Sequence, residues 1–576
     1  MRALLALLEG SRWRLAAATL AGAGTVAAGV GLLATGAYLI VRAGEQPAIL
    51  ELTVAIVGVR FFGISRAVLR YLERLSGHDA ALRLVARLRT RAFAAVERLT
   101  PAGLEDERAG DLLSRLTEDL EEIEQALLRA LLPVAVTGLT VLGAGAAAWA
   151  LLPAAGYAVA AGLAVTAAAA GGAALAAGRR RTGRLASARA DLAAAVVDLV
   201  EGAAEAAAHG RTPDLLAAAA AADTRLTRLS RGAAWVSGAG SGLVALGSGL
   251  CLWLVARAGL AATSSGTLDP VLLGALALLA LAAFEPVALL PHGLLRLDDG
   301  LAAAGRLESL ERRPDPAPDP AGPGATPRGF RLELRDAHLR HRPGGPWALR
   351  GVDLLLEPGR RVALVGESGA GKSSVAQALL RWRDLEGGAY LVGGADAREL
   401  PGAEVRRIVG LAAEEAFLVE GTLADNLLLG RPGASAGEVQ GALEAARLDS
   451  WVAGLPAGLS TPVGRGGAEV SGGERRRLSL ARARLAGFPV LIADEPTAGL
   501  DPTAAAEVVA ALVATGEDHG LLLITHGAEG LEQMDEIVVL DRGRVAERGT
   551  HSSLLAAGGR YARFWEARRA AAVGEG

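Results

Sequence analysis

The chain is poor in several kinds of residue, and each shortage narrows what it can be. A single cysteine, Cys251, excludes an intramolecular disulfide and a cysteine metal cluster. The formal net charge is only -3, so electrostatics give no argument for nucleic acid as a partner. Only 21% of the residues are charged, whereas 51% are apolar and the mean hydropathy is +0.33. A soluble protein of this size normally carries more charge, so part of the chain is expected to lie in a lipid bilayer.

Lysine is almost absent: Lys372 is the only one among 576 residues, and arginine takes its place elsewhere. It lies in a complete G-x-x-x-x-G-K-[ST] loop, where a compact ammonium can reach between phosphates and a planar guanidinium fits poorly. A predicted strand precedes the loop and a predicted helix follows it, as the motif requires. The pattern indicates a nucleoside triphosphate held by backbone N-H groups, with Ser373 on Mg²⁺. The loop and the residue after it are Gly366, Glu367, Ser368, Gly369, Ala370, Gly371, Lys372, Ser373 and Ser374.

Six apolar stretches are long enough to span a bilayer. They lie near residues 15–41, 48–69, 127–152, 154–177, 234–257 and 270–295, and the second is interrupted by Arg60 and Arg66. Two long helical segments between spans, about 70–126 and 178–233, hold nine arginines each. By the positive-inside rule these segments, the N-terminus and everything after residue 296 are predicted to be cytoplasmic, in a multi-pass protein of the inner membrane.

The predicted fold is a six-helix α transmembrane domain with long cytoplasmic extensions, residues 1–310, fused to an α/β P-loop domain, residues 330–576. Residues 311–329 are predicted to be a linker, because six prolines fall between Pro314 and Pro327 and apolar residues are rare. Gly110–Arg115 and His209–Pro213 are expected near the tips of the two long cytoplasmic segments, 70–126 and 178–233, called excursions below. There they are either contacts for the P-loop domain or solvated turns.

Further motifs follow the phosphate-binding loop. A strand ends in Asp494 and Glu495, which presents one carboxylate to Mg²⁺ and the next to the attacking water. The other segments are Val470-Ser471-Gly472-Gly473-Glu474-Arg475 before that strand, then Ala498-Gly-Leu-Asp501, then a second strand that delivers His526. In this order and at these spacings the segments resemble the nucleotide-binding domain of ABC transporters.

The resemblance implies a head-to-tail pair of ATPase domains, in which each ATP is held between one phosphate-binding loop and the partner's signature segment. Ser471, Gly472, Gly473 and Glu474 would thus act in trans, and Asp501 would belong to the D-loop. In the chain's own site the implied roles are charge neutralisation by Lys372, Mg²⁺ binding by Ser373 and Asp494, general base or water orientation by Glu495, and γ-phosphate contact by His526.

Two positions depart from the family pattern. Glu414 stands where the family usually has a glutamine that senses the γ-phosphate; a carboxylate can bind Mg²⁺ but cannot donate amide hydrogen bonds. His341 stands near the position of the adenine-stacking aromatic residue, and Trp347 is a rival for that role.

The membrane domain precedes the ATPase domain on one chain, which resembles an exporter half-transporter of the type I ABC exporter kind. One half cannot close the ATP sandwich, so a second chain is implied. The segments Gly58–Arg60 and Arg66–Arg83, with Gly31–Gly36, Pro101–Leu104, Gly110–Leu113 and Ala282–Glu285, resemble the CydC-type subunit of the CydDC thiol exporter. That resemblance implies a CydD-like partner, a cysteine or glutathione substrate and support of cytochrome bd assembly.

Arg66, Arg70, Arg74 and His78 recur every four residues and form a basic stripe on a predicted helix. The stripe could bind a carboxylate-bearing thiol, or the propionates of haem b through Arg70 and Arg74, with His78 as an axial ligand, a role that the family resemblance suggests. Alternatively it is a snorkelling stripe at the inner membrane boundary.

The sequence therefore predicts an ATP-driven exporter subunit for a small thiol. Three alternatives stay open: a half-transporter for lipid, peptide or drug, a soluble ABC ATPase of translation or DNA repair, and a regulatory partner whose own ATP site is idle. The soluble alternative lacks membrane spans, and the idle one predicts that Glu495 is dispensable.

Overall fold

The computed structural model describes residues 12–107, 109–179, 184–322, 324–342, 344–414, 416–464, 467, 470–498, 500, 502–514 and 519–574. The chain divides into two compact units. The first unit combines Met1–Arg98 with Glu107–Arg313, and the second combines Leu99–Asp106 with Pro314–Gly576.

The first unit is built of helices. They are α1 (Arg12–Gly44), α2 (Ile49–Leu99), α3 (Ala109–Ala126), α4 (Leu132–Leu151), α5 (Pro153–Arg179), α6 (Arg184–Glu201), α7 (Ala203–Ala208), α8 (Thr212–Ser264), α9 (Pro270–Ala282) and α10 (Leu290–Glu311). A π-helical turn, Leu127–Leu131, joins α3 to α4, and a 3₁₀ turn, Val287–Leu289, precedes α10. The two long predicted excursions are helical, and the second breaks between Ala208 and Thr212, where the His209–Pro213 signal lies.

Six membrane spans were predicted, and six helical stretches of the described chain are long and apolar enough to cross a bilayer. They are Arg12–Gly44, Ile49–Leu99, Gly110–Leu151, Pro153–Gly178, Thr212–Ser264 and Pro270–Glu311. Helices α2 and α8 have 51 and 53 residues. At about 1.5 Å per residue each exceeds the roughly 30 Å of a hydrocarbon core more than twofold, so both continue well past it.

The helices of the first unit pack closely against one another because small residues lie between them. The core is rich in alanine, with members of α1, α4, α5, α8, α9 and α10 in one cluster. Gly293 of α10 faces the π-helical turn, and a Cβ there would lie 1.6 Å from the carbonyl oxygen of Arg129. Any side chain at Gly293 would therefore push α10 away from this turn.

The second unit holds the strands. They are β1 (Leu332–Arg340), β2 (Trp347–Leu356), β3 (Arg361–Val365), β4 (Gly387–Val392), β5 (Ala395–Asp396), β6 (Val409–Ala412), β7 (Val490–Asp494), β8 (Gly520–Thr525), β9 (Glu536–Asp541) and β10 (Arg544–Gly549). Its helices are α11 (Lys372–Leu379), α12 (Gly402–Ile408), α13 (Leu423–Leu428), α14 (Ala436–Ala445), α15 (Asp449–Gly454), α16 (Gly472–Ala486), α17 (Pro502–Val513), α18 (His551–Ala556) and α19 (Arg560–Gly574).

These strands form two sheets. One is antiparallel in the order β2-β1-β4-β5, and the other has the order β10-β9-β3-β8-β7-β6 and is parallel except at β10. Strands β3, β7 and β8 are adjacent and buried, so their carboxyl ends meet at one edge of the sheet. Ligands of such α/β sheets bind at this edge.

A short segment between α2 and α3, Leu99–Asp106, belongs to the second unit. Arg383 donates to the carbonyl of Ala102 at 2.6 Å, and Gln377 donates to the Glu105 carboxylate at 3.0 Å. The sequence predicted Gly110–Arg115 near the tip of the first excursion; these residues lie in the first turns of α3, in the first unit, shortly after Asp106. The sequence signal for this turn was Pro101, which lies in the turn that follows α2.

The proline-rich linker is anchored on the second unit by polar contacts. Arg381 is only 1% exposed, and it donates to the carbonyl of Pro318 at 2.6 Å and to Asp384 at 3.0 Å. Asp319 accepts a hydrogen bond from the Gly402 amide at 2.7 Å. These bonds satisfy a buried guanidinium and fix this part of the linker to the ATPase fold.

Candidate functional site

The phosphate-binding loop joins β3 to α11, as the sequence predicted. Gly371 adopts φ of 108°, and a Cβ there would lie 2.7 Å from the carbonyl oxygen of Ala348. Glycine is therefore required at this position. The ammonium of Lys372 donates to the carbonyls of Gly366 and Glu367 at 2.8 and 3.2 Å, which holds it over the loop.

The loop lines an open cleft of about 910 Å³ within the second unit. Most of the predicted nucleotide residues meet there, from segments far apart in the chain. The lining comprises His341, Trp347, Gly366, Glu367, Ser368, Gly369, Gly371, Lys372, Ser373, Ser374, Glu414, Asp494, Glu495 and His526, together with Pro346, Ala348, Arg350, Arg542, Gly543 and Phe564. Ala370 is buried behind the loop. Sequence reasoning missed Arg350, Arg542 and Phe564, which carry no motif.

Carboxylates crowd one side of the cleft. Burial raises the pKa of Asp494 to about 6; the charges of Glu495 and Glu414 add to this rise, and the Lys372 ammonium opposes it. Oxygen ligands that raise one another's pKa favour a bound divalent cation, which relieves the repulsion. Ser373 and Asp494 thus fit Mg²⁺ beside the phosphate-binding loop.

Glu495 is held in one orientation. It is 7% exposed and has a positive φ of 49°, with its amide bonded to the Ile524 carbonyl at 2.9 Å. One of its carboxylate oxygens lies 2.7 Å from Nδ1 of His526 and accepts from the His526 amide at 3.2 Å. The strained backbone and these contacts aim a carboxylate into the cleft, a geometry suited to orienting water or accepting its proton.

Glu414 lines the same cleft from the segment after β6. Its carbonyl accepts a hydrogen bond from Arg476 at 3.3 Å, and its carboxylate lies 4.0 Å from the same guanidinium. Arg476 also donates to the carbonyl of Ala498 at 2.5 Å. One arginine of α16 therefore joins the Glu414 segment to the segment after β7.

The signature segment begins α16 with a capping box. The Ser471 amide donates to the Glu474 carboxylate at 2.9 Å, and the Glu474 amide donates to the Ser471 hydroxyl at 3.3 Å. Ser471 and Gly472 are exposed, and the Ser471 hydroxyl keeps its own hydrogen for a further acceptor. Asp501, predicted for the D-loop, lies outside the described residues.

His341 and Trp347 both line the cleft. The Nε2 of His341 lies 3.0 Å from the Ser374 hydroxyl, and its Nδ1 lies 3.3 Å from the Glu105 carboxylate. Trp347 carries the Arg340 guanidinium over its ring at 4.1 Å. Which of the two stacks on adenine stays a prediction; both ring nitrogens of His341 already face polar partners, Ser374 and Glu105.

The basic stripe lies on α2 of the first unit, and Glu285 neutralises part of it. Arg66 and Arg70 both bond to the Glu285 carboxylate, at 2.8 and 2.7 Å. Arg74 and His78 are exposed on the same helix. Sequence reasoning did not find Glu285 as the counter-charge, because the pair spans more than two hundred residues.

Family models match both units of the chain. The ABC transporter model matches residues 349–498, and the ABC transporter transmembrane region model matches residues 16–287. The first range contains the cleft residues from the phosphate-binding loop to Glu495, and the second runs from within the first span to within the sixth, past Glu285. Both the ATP-binding domain and the membrane domain are therefore those of ABC transporters.

Individual relatives agree. The glutathione/L-cysteine transport system protein CydC of Escherichia coli is 30% identical over 98% of this chain and 99% of its own length. CydD of Bacillus subtilis is 30% identical over 94% of this chain and 95% of its own length. The mycobactin import protein IrtA of Mycobacterium tuberculosis is 40% identical, but over 55% of this chain and 37% of its own length.

The fold itself is found in a solved structure of a bacterial Atm1-family ABC exporter with ATP bound. It superposes with a TM-score of 0.80 over 97% of this chain and 98% of that one, at 23% identity. At that identity the likeness supports the fold alone. With the whole-length relatives and both family models, it establishes this chain as a multi-pass, ATP-hydrolysing half-transporter of the ABC transporter family, of the CydC type.

Proposed function

We propose that this chain is the CydC-like half of a heterodimer that uses ATP to export cysteine, glutathione or both, and that it thereby supports cytochrome bd assembly. The observation that carries the proposal is whole-length similarity to proteins named for glutathione and cysteine transport, at 98% and 94% of this chain. The mycobactin importer and a lipid A-core flippase of Xanthomonas match only 55% and 46%. Substrate choice is a property of the membrane unit, so relatives that match both units are the better guide.

The proposed assembly places a CydD-like chain opposite this one. An exposed Ser471 and Gly472 at the start of α16 favour a site offered to a second subunit, because a helix N-terminus attracts phosphate oxygens. In the chain's own site, Lys372 would neutralise the phosphates, Ser373 and Asp494 would hold Mg²⁺, and Glu495 would act on water. His526 would position Glu495 and contact the γ-phosphate. The arginine-rich segments between the spans favour a protein of the inner membrane whose ATPase domain lies in the cytoplasm.

Transport in inverted membrane vesicles tests the proposal. Vesicles that contain this chain with its co-purifying partner are expected to accumulate labelled cysteine or glutathione when ATP is supplied. A non-hydrolysable ATP analogue serves as the control and should abolish accumulation. If the vesicles accumulate neither thiol but move a lipid, peptide or drug, the alternative half-transporter function is correct, a reading to which the flippase relatives lend support.

Haem binding at the stripe is a second, separate proposal. His78 is exposed and offers an imidazole, and the neighbouring Arg74 is exposed and suits a propionate, whereas Arg70 is already paired with Glu285. When bound, haem would supply redox or oxygen-sensing chemistry. The purified complex is expected to show a Soret band that His78→Ala shifts or removes, with His209→Ala as a matched exposed-histidine control. Identical spectra of the wild type and His78→Ala would exclude this histidine as a ligand.

A further inference from the structure

Two arginines of α2 converge on one glutamate between α9 and α10. The Arg66 guanidinium donates to both carboxylate oxygens of Glu285, at 2.9 and 2.8 Å. The Arg70 guanidinium donates to the first of these oxygens at 2.7 Å. Both contacts join residues more than two hundred positions apart, so packing of the membrane unit creates them.

The cluster lies at the depth of the bilayer. Helices α2 and α9 begin at the same end of the bundle, because successive spans alternate in direction. At about 1.5 Å per residue, Arg66 lies about 26 Å from the start of α2, and Glu285 lies about 22 Å from the start of α9. Arg66 and Glu285 therefore lie at similar depths, both within a hydrocarbon core of about 30 Å. Charges at this depth are costly, so they are rare, are paired or face a polar interior, and commonly mark a functional site.

The exposed side of the cluster indicates what it faces. The side chains of Arg66, Arg70 and Glu285 are 32%, 45% and 37% exposed. Charges that faced lipid to this extent would be destabilising, so this side is expected to line a polar cavity. The backbone agrees: α9 ends at Ala282, and the residues before the 3₁₀ turn at Val287 form a non-helical turn. Irregular backbone at membrane depth is tolerated where it lies in protein or lines water.

The charges of the cluster do not cancel. Two guanidinium groups meet one carboxylate, which leaves one positive charge. Glu73 packs its carboxyl group against Gly22 of α1 and lies within electrostatic reach of Arg70, Arg74 and Glu285. Counting Glu73 and Arg74 together adds one charge of each sign, so the excess remains one positive charge. The excess positive charge therefore favours a ligand that presents a carboxylate to the two arginines.

We infer that Arg66, Arg70 and Glu285 form the recognition site for the exported substrate, a small α-amino-acid zwitterion. The arginines bind its carboxylate through charge-assisted hydrogen bonds, and Glu285 binds its ammonium group. Glu285 exchanges one cationic partner for another, and the two guanidinium groups share the substrate carboxylate in its place, so every group of the site keeps a partner of opposite charge. This inference rests on the proposed function, and cysteine and the γ-glutamyl end of glutathione both carry the required pair of groups.

Thiols that lack one group test the assignment. Uptake of labelled cysteine or glutathione by the assembled transporter is measured in inverted vesicles, with three unlabelled thiols as competitors. These are cysteine, cysteamine, which has no carboxylate, and 3-mercaptopropionate, which has no ammonium. Arg66→Gln is expected to weaken the apparent affinity for cysteine about tenfold or more and to leave cysteamine unchanged. Glu285→Gln is expected to weaken the apparent affinity for cysteine and to leave the apparent affinity for 3-mercaptopropionate unchanged. Arg83→Gln removes a comparable ion pair, with Asp79 at 2.9 Å on the same helix beyond the span, and should change nothing.

A purely structural ion pair would behave differently. If the ion pair were only structural, Arg66→Gln would weaken the apparent affinity for all three thiols and lower the thermal stability. That result would overturn the inference. The charge-reversed double variant, Arg66→Glu with Glu285→Arg, is expected to fold yet not to recognise cysteine; full recovery of cysteine affinity would likewise overturn it. Wild-type vesicles that respond to no thiol would overturn the proposed function as well, whereas unchanged cysteine affinity in Arg66→Gln would reject this site alone.

Discussion

Replacing Glu495 by Gln is expected to lower the ATP turnover of the assembled transporter about a hundredfold or more while ATP binding is retained. The carboxylate is buried and lies 2.7 Å from the His526 ring, so it is positioned to take up a proton from water. Glutamine keeps the shape and can accept hydrogen bonds, but it cannot take the proton. Loss of a general base typically costs a factor of about 10² to 10⁴. Steady-state ATPase activity and nucleotide-binding titration measure the two parts.

Glu414→Gln is the matched control for this variant. It makes the same chemical change in the same cleft, and it installs the residue that the family usually carries. Turnover is expected to stay within a few-fold of the wild type, because Glu414 contacts Arg476 mainly through its backbone carbonyl. If Glu495→Gln leaves turnover unchanged, the site of this chain is idle and the chain is a regulatory partner.

Changing Lys372 has the second large effect, on ATP affinity. Its ammonium is held by two loop carbonyls, where it can reach the phosphates. Lys372→Ala removes a charged hydrogen-bonding group and is expected to weaken ATP binding by this chain roughly ten- to a hundredfold. Lys372→Arg keeps the charge but places a planar group there, and it is expected to bind ATP nearly as poorly. Binding of a fluorescent ATP analogue to the complex checks both.

The absence of other lysines gives this prediction a chemical control. An amine-directed reagent can modify this chain only at Lys372 and at its α-amino group. MgATP is expected to protect Lys372 and to leave the α-amino adduct unchanged, as read from peptide masses of this chain. Equal labelling of Lys372 with and without MgATP would show that its ammonium does not contact the nucleotide.

The ATP site was largely predictable because its parts are local. A run from Gly366 to Ser374 specifies the strand, turn and helix that form the loop, and glycine at 371 meets a backbone that tolerates no side chain. The strand that ends in Asp494 and Glu495 likewise carries its chemistry at its own terminus. Parallel strands then bring these termini together, since their carboxyl ends share one edge.

Other features needed the assembled chain. The hydrogen bond partners of His341, namely Ser374 and Glu105, come from α11 and from the segment between α2 and α3. The contact of Glu495 with His526 depends on how β7 and β8 pair. The basic stripe was visible as a four-residue repeat, but its counter-charge was not.

The sequence alone determined the phosphate-binding loop, the six spans and the order of the two domains, because hydropathy, turn chemistry and helix length are written in neighbouring residues. Tertiary structure alone decided that Glu285 pairs with Arg66 and Arg70, and that Leu99–Asp106 belongs to the ATPase unit. Ion pairs and docking depend on which helices pack together and in what register. Packing of that kind is set by the summed contacts of whole surfaces, which no short pattern records.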